Sequence, residues 1–259
     1  MKQKKVWLNG YSGRMGSLIT KELEKHQRLS LFAFSDQKGW ALASASNNND
    51  LPSTQDIDFW FSQCELIIDF SSQQGNLFIK DLLKKNPLNS KAVLIGSTGI
   101  QPDIKNQWIN LAKKQHLSLL FAPNTSLGIL LTLRSSLSLA KSLRGKDFDI
   151  EILESHHRHK IDSPSGTARF LANHLADQEN LVQKTNRSGK REREEIGVVA
   201  LRGGSVFGEH TIRFMGDDEE IEITHRALNR NLFVKGALIL AEWIINQKPG
   251  IYELPDVNI

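Results

Sequence analysis

The feature that most constrains this chain is a short apolar stretch, Val6 to Asn9, which runs straight into G-Y-S-G-R-M-G. A helical pattern follows, with Met15, Leu18, Ile19 and Leu23 along one side. Gly10, Gly13 and Gly16 stand three apart, a variant of the G-x-G-x-x-G turn. Glycines so spaced permit a tight strand-to-helix turn, let a pyrophosphate approach backbone N–H groups at the helix start, and let the helix pack closely on the strand. A second apolar stretch, Leu29 to Phe34, leads to Asp36. That is about twenty residues beyond the last glycine, where an acid can bind the hydroxyls of an adenosine ribose. Together these features predict a dinucleotide-binding unit. The alternative is a generic strand, glycine turn and helix with an incidental aspartate.

The same rhythm continues. Glu65 to Phe70 reads as a strand, Asn76 as the cap of a helix through Lys85 that Asn86 and Pro87 end, and Lys91 to Ile95 as a strand. Asp103 to Gln115 reads as a helix with Ile104, Trp108, Leu111 and Ala112 on one face, and Leu117 to Phe121 as a further strand. Strands alternating with helices imply a Rossmann-type parallel sheet covered on both sides. Ligands of such sheets lie beyond the carboxyl ends of the strands. The chain has D-F-S-S (Asp69 to Ser72), G-S-T-G (Gly96 to Gly99) and A-P-N-T (Ala122 to Thr125) there. Phe70, Gly96, Ser97, Thr98, Ala122, Asn124 and Thr125 are therefore candidate cofactor contacts. Ser44 to Asp50, poor in complexity, reads as a surface loop.

After Asn124 the pattern changes. Leu127 to Leu143 reads as one helix, Ile150 to Leu153 as a strand, Ser165 to about Gln178 as a helix, and the polar run Lys184 to Glu195 as mobile surface. Strands at Gly197 to Leu201, Phe207 to Met215 and Glu220 to His225 follow without intervening helices, with Asp217 and Asp218 as a turn. That succession predicts an α+β domain with a mixed or antiparallel sheet. A final helix, Asn231 to Gln247, is expected to return to the first sheet. The chain is thus an α/β protein: residues 1–125 completed by 231–259, and a second domain of 126–230.

Within the second domain one stretch concentrates chemistry: E-S-H-H-R-H-K-I-D-S-P-S-G-T-A, Glu154 to Ala168. Its basic cluster sits where a strand hands over to a helix that opens at Ser165, Gly166 and Thr167 behind Pro164. Gly166 and Thr167 can present backbone N–H donors to a carboxylate, and His156, His157 and Lys160 add side-chain charge. Histidine also moves protons near neutral pH. The stretch thus reads as a site for anions and protons. A solvated basic loop is the bland alternative. A zinc site built on His156, His157 and His159 is disfavoured, because adjacent strand residues point to opposite faces and Arg158 and Lys160 would repel a cation; no metal is expected.

Composition narrows the partners. With 259 residues, 39% hydrophobic and 24% charged, the chain is an ordinary soluble globular protein of one or two domains. The formal charge of +4 comes largely from Lys2 to Lys5 and Lys190 to Arg193. Neither run interleaves aromatics, so no nucleic-acid partner is expected. The single Cys64 excludes an intrachain disulfide and fits a reducing cytoplasm. Val6 to Leu8 is too short for a signal segment, and the longest apolar run, Leu127 to Leu133, meets Arg134, so a cytoplasmic protein without a membrane partner is expected.

The order G-x-x-G-R-M-G, I-D-F-S, G-S-T-G, A-P-N, the Glu154 to Ala168 stretch, R-G-G-S-V-F-G-E-H-T and E-I-T-H-R-A closely resembles bacterial 4-hydroxy-tetrahydrodipicolinate (dihydrodipicolinate) reductases over nearly the whole chain. The glycine fingerprint is shared with many dehydrogenases, whereas the fifteen-residue stretch is specific to that family. The resemblance implies an oxidoreductase that uses NADH or NADPH on a small dicarboxylate in diaminopimelate and lysine biosynthesis. It further implies a homotetramer built through the substrate domain's sheet. It makes His156 and Lys160 the proton-handling pair and His157, Gly166 and Thr167 the substrate contacts. Gly10, Gly13, Arg14, Met15 and Asp36 join the strand-end residues named above as cofactor contacts. Tyr11, where a small residue is usual, and Thr125, where a bulky one is common, depart from the pattern. A dehydrogenase of another small acid on the same plan and a non-catalytic dinucleotide sensor are the rival readings.

Overall fold

The computed structural model describes residues 2–43, 57–86, 91–185 and 187–259. The expected loop at Ser44 to Asp50 and the helix stop at Pro87 lie outside these. Two compact units divide the chain, one of Met1–Thr125 with Phe233–Ile259, the other of Ser126–Leu232.

The first unit opens with β1 (Lys4–Asn9), α1 (Arg14–Leu23), β2 (Leu29–Asp36) and β3 (Gly39–Leu42). It continues through α2 (Ile57–Ser62), β4 (Leu66–Asp69), α3 (Gln73–Lys85), β5 (Ala92–Ile95), α4 (Pro102–Gln115) and β6 (Ser118–Phe121). β4, β5 and β6 are buried along their whole length. This is why LIID, AVLI and SLLF read as unbroken runs rather than as alternation: strands of a parallel sheet covered on both faces have no solvent side. Trp7, Phe61 and Trp108, all fully buried, anchor the core, each worth on the order of 2–3 kcal/mol in buried apolar surface.

In the second unit, α5 (Leu127–Leu143) precedes β7 (Asp149–His156), α6 (Gly166–Glu179), β8 (Val182–Lys184), β9 (Glu195–Arg202), β10 (Glu209–Met215) and β11 (Glu220–Arg226). The sheet order is β11-β10-β7-β9-β8. β10 runs antiparallel to both β7 and β11, and β9 parallel to β7 and β8, so the sheet is mixed. Ile150, Ile152, Ile196, Val198, Ile212 and Phe214 form a core with Ile129, Leu133, Leu171 and Leu175 of α5 and α6. The chain then returns through α7 (Asn231–Ile244) to β12 (Gly250–Glu253), which pairs parallel to β6. The first sheet is therefore β12-β6-β5-β4-β1-β2-β3, parallel except for the β2–β3 hairpin.

Two expectations are corrected. Asn76 is no cap: Ser72 caps α3, accepting from Gly75 N, while Asn76 is buried inside the helix and donates to Asp69 Oδ2 at 2.9 Å. A cap signature needs only an Asx or Ser at the right place, and the chain offers both within one turn. In the polar run expected as mobile surface, Arg187 and Arg191 are held in ion pairs. Arg187 reaches Glu151 at 2.6 Å and Glu195 at 3.2 Å, and Arg191 reaches Asp149 at 2.6 Å and Glu151 at 3.2 Å. Its composition is the same whether its charges meet water or the acids of β7, and only the fold decides. The central strand, read at Ile150 to Leu153 with the alternation around it, spans Asp149–His156. β3, α2, β8 and β12 are too short to leave a periodic signal.

Candidate active site

In the first unit the register aligns Asn9, Ser35, Asp69, Ile95 and Phe121 at the carboxyl ends of neighbouring strands. There Asn9 Nδ2 donates to Asp69 Oδ1 at 2.7 Å and to Gly75 O at 2.9 Å. Asp69, wholly buried, also accepts from Asn76 and from Ser97 Oγ at 3.0 Å. This network fixes the backbone on which the glycine loop rests. Gly10 has φ +83, and a Cβ on it would meet Phe70 O at 2.7 Å; a Cβ on Gly16 would meet Gly10 O at 2.2 Å. Both positions accept only glycine, for conformation in the first case and for helix-on-turn packing in the second. Gly13 caps α1 without a side-chain hydrogen bond, leaving backbone donors of the first turn for an anion.

A cavity of about 400 Å³ opens above this loop, lined by Arg14, Met15, Phe70, Ser71, Gly96, Ser97, Thr98, Pro123, Thr125 and Phe233. Seven expected cofactor contacts meet in it. Ser71 and Pro123 come from the strand-end motifs D-F-S-S and A-P-N-T, whereas Phe233 has no counterpart in the sequence motifs and comes from α7, far along the sequence. Gly10 and Gly13 form the loop beneath, Ala122 is buried behind the wall, and Asn124 does not line the cavity. Asp36 stands apart at the β2–β3 hairpin, where its Oδ1 accepts from Lys38 N at 2.7 Å. Tyr11 packs its ring on Phe34 at 4.1 Å, and Thr125 donates to Phe233 O at 2.7 Å. The loop, the open helix start and the cavity fit a dinucleotide.

In the second unit, alternate residues of β7 turn inward: Ile150, Ile152, Glu154, His156. The apolar core thus gives way to a carboxylate and an imidazole at the strand's carboxyl end. Glu154 is wholly buried. It accepts from His156 Nδ1, from Ser165 N at 3.0 Å and from Arg202 at 2.8 Å. Burial alone would raise its pKa, yet Arg202, the Ser165 N–H and His156 hold it below the ordinary carboxylate value. Burial lowers the His156 pKa, against an upward pull from Glu154 and a further downward push from Lys160 and Arg202. His210 lies with its ring 5.2 Å from that of His156 and its Nε2 3.1 Å from Ser165 Oγ; burial first, then His156, pushes it down to about 3.

Ser165 caps α6, accepting from Ala168 N at 3.1 Å, and Gly166 opens the helix with nothing within 4 Å of a hypothetical Cβ. No protein packing requires that glycine, which leaves room for a ligand. Lys160 Nζ meets Asp162 Oδ1 at 2.7 Å. Thr167 follows in the first turn. His157 lies past the strand, half-buried, with its ring 6.3 Å from that of His159. Among the described residues, Glu154, His156 and His210 form the cluster with metal-ligand spacing, but Arg202 and Lys160 beside it oppose a cation. Glu154, Arg202 and His210 had no role in the sequence reading, although all three lie inside its motifs; burial, the signal that marks them, is invisible there. A larger cavity, about 640 Å³, lies elsewhere in this unit beside Phe148 and Phe214. Its arginines are already paired, Arg144 with Glu179 at 2.9 Å and Arg191 with Asp149 at 2.6 Å, and it holds none of these residues.

A Rossmann-type nucleotide unit joined to an α+β unit with a buried acid–imidazole pair defines a two-domain nucleotide-dependent oxidoreductase. Residues 4–125 match the family model "Dihydrodipicolinate reductase, N-terminus" and 128–257 the model "Dihydrodipicolinate reductase, C-terminus". The chain is 39% identical over 258 residues to the 4-hydroxy-tetrahydrodipicolinate reductase of Nitratiruptor sp., covering 97% of each, and 38% identical over 262 residues to that of Campylobacter curvus, again covering 97% of each. Among solved structures, dipicolinate-bound dihydrodipicolinate reductase from Paenisporosarcina sp. TG-14 aligns with a TM-score of 0.75 at 21% identity, over 97% of this chain and 98% of that one. The chain belongs to the dihydrodipicolinate reductase family. It is an NAD(P)H-dependent oxidoreductase of diaminopimelate and lysine biosynthesis.

Proposed function

We propose that this chain reduces 4-hydroxy-tetrahydrodipicolinate to tetrahydrodipicolinate with His156 and Lys160 as its proton-handling pair, and with His157, Gly166 and Thr167 holding the substrate's carboxylates. When bound, the dinucleotide supplies the hydride. The reaction also takes up one proton and releases the 4-hydroxyl as water, so a group able to give a proton must stand beside the ring. His156 meets that need with Nδ1 held by Glu154 and Nε2 without a protein partner among the described residues. One observation carries the carboxylate assignment: Lys160 Nζ already holds a carboxylate, that of Asp162, at 2.7 Å. A cation already engaged with a carboxylate suits a dicarboxylate substrate, and the Paenisporosarcina protein is one that binds dipicolinate.

On this reading Gly10, Gly13, Arg14, Met15, Asp36, Phe70, Gly96, Ser97, Thr98, Ala122, Asn124 and Thr125 serve the cofactor. Residues 1–125 with 231–259 form its domain, and 126–230 form the substrate domain. The proposal includes a homotetramer in the cytoplasm, associated through the second sheet. Supporting that association, Val199 and Leu201 of β9 are each 50% exposed, an apolar stripe that a partner sheet would cover. No helix of the described residues is long and apolar enough to cross a membrane. Sedimentation at micromolar concentration tests the assembly, and a monomer alone would refute it.

The activity is tested by following NADH oxidation against freshly generated 4-hydroxy-tetrahydrodipicolinate. Lys160→Met and His156→Gln should each lower kcat by about 10² or more while NADH affinity stays put, since general acid catalysis contributes about 10²–10⁴. Equal loss of NADH binding in both would remove these roles.

A further inference from the structure

Glu154 is a carboxylate placed where the β7 pattern calls for a core residue, behind His156 and wholly buried. Burying an ion is unfavourable by several kcal/mol unless it is paired and hydrogen-bonded, and here every partner is in place. Arg202 of β9 reaches it at 2.8 Å, and the cap residue Ser165 of α6 donates its backbone N–H at 3.0 Å. The remaining bond is to His156 Nδ1. Arg202 is itself fixed, donating to Asp162 O at 2.6 Å and to Leu201 O at 2.7 Å. The charged and titratable groups facing His156 are Glu154 on its own strand, Lys160 on the following turn, Arg202 on β9 and His210 on β10. α6 contributes only Ser165, and the connection before β10 only Gly208, whose Cβ would meet His156 Nε2 at 2.9 Å. Of these neighbours, Glu154 alone is negative.

We propose that Glu154, kept ionised by Arg202 and the Ser165 N–H, is a positioning residue that fixes the His156 proton on Nδ1, turns Nε2 to the reacting ring, and lets the imidazole hold a second proton despite its burial. The inference rests on the proton-handling role of His156 given above. His210 is less suited to that part, since its Nε2 is engaged with Ser165 Oγ at 3.1 Å and burial disfavours its charged form. A buried carboxylate oriented this way leaves one ring nitrogen to do the chemistry and stabilises the imidazolium.

The test is the pH profile of kcat at saturating NADH for wild type, Glu154→Gln, Glu154→Asp and His156→Gln. Reduction needs the protonated imidazole, so kcat falls as pH rises through the His156 pKa. Glu154→Gln removes the sole upward pull, so its alkaline limb should move down by about one pH unit or more, with kcat down about tenfold or more at neutral pH and NADH affinity unchanged. Glu154→Asp should restore part of the limb. Glu154→Gln/His156→Gln should be no worse than His156→Gln alone. A fully active His156→Gln would remove the underlying reading; an impaired His156→Gln with an unmoved limb in Glu154→Gln would remove the Glu154 role alone. If Glu154→Gln does not fold, nitrogen NMR of wild-type histidines decides: the His156 signal, identified by its loss in His156→Gln, should show Nδ1 protonated and Nε2 titrating, and the opposite tautomer overturns the proposal.

Discussion

Lys91 offers a sharp test of the first unit's core. It is 2% exposed, its ammonium lies 4.0 Å above the Phe61 ring, and its Nζ donates to the Phe61 carbonyl. Burial draws its pKa from 10.5 down to about 8, against a smaller upward pull from Cys64. Between those values the unfolded chain holds a proton that the native protein has released, so stability rises with pH. A gap of about 2.5 pH units corresponds to about 3 kcal/mol, most of it appearing between pH 7 and pH 10. Cys64 works the other way. Burial pushes its thiol from 9.0 up to about 12, so the native state keeps a proton the unfolded chain loses, and stability falls through that window. Comparing wild type with Lys91→Met largely cancels this, because Cys64 stays buried in both. The substitution also removes one donor to the Phe61 carbonyl, which keeps the Cys64 N–H at 3.2 Å, and this loss shifts stability by the same amount at every pH. Urea unfolding at pH 7, 8, 9 and 10 should therefore show wild type gaining about 2–3 kcal/mol on Lys91→Met across the range, whatever the offset at pH 7. A difference that stays constant with pH would refute the buried, readily deprotonated lysine.

Gly16→Ala should weaken NADH and NADPH binding alike by about tenfold or more, equivalent to about 1.4 kcal/mol, because its Cβ would fall 2.2 Å from Gly10 O and drive α1 off the loop; unaltered dissociation constants by fluorescence titration would contradict this. Asp36→Ala should weaken NADH while sparing or improving NADPH, since an acid at the ribose repels a 2′-phosphate, and Lys38→Ala should weaken NADPH more than NADH. The kcat/KM ratios for both cofactors decide the matter, and unchanged ratios in both variants would show that other residues read the 2′ position.

Much of the architecture was determined by the sequence alone. Gly10, Gly13 and Gly16 after a buried strand, and runs such as LIID and AVLI between helical patterns, admit few folds besides a parallel sheet, because continuous apolar strands must be covered on both faces. α5 begins at Leu127 and α6 opens behind Ser165 where expected, and in each the preceding serine hydroxyl, of Ser126 or Ser165, accepts a backbone N–H. Local signals suffice for local bonds. The alternation in β7 likewise separates His156 from His157 without any tertiary knowledge. What only the tertiary structure decided are matters of long-range pairing. Glu154 looked like one more acid in a polar motif, until burial and Arg202, forty-eight residues away, made it the ion behind His156. Asn76 exchanged a cap for a buried bond to Asp69, Phe233 joined the cofactor cavity from α7, and the arginines of the polar run found Asp149 and Glu151. In each case the residue type permits water or protein as partner, and the choice is made by which groups the folded chain removes from solvent together.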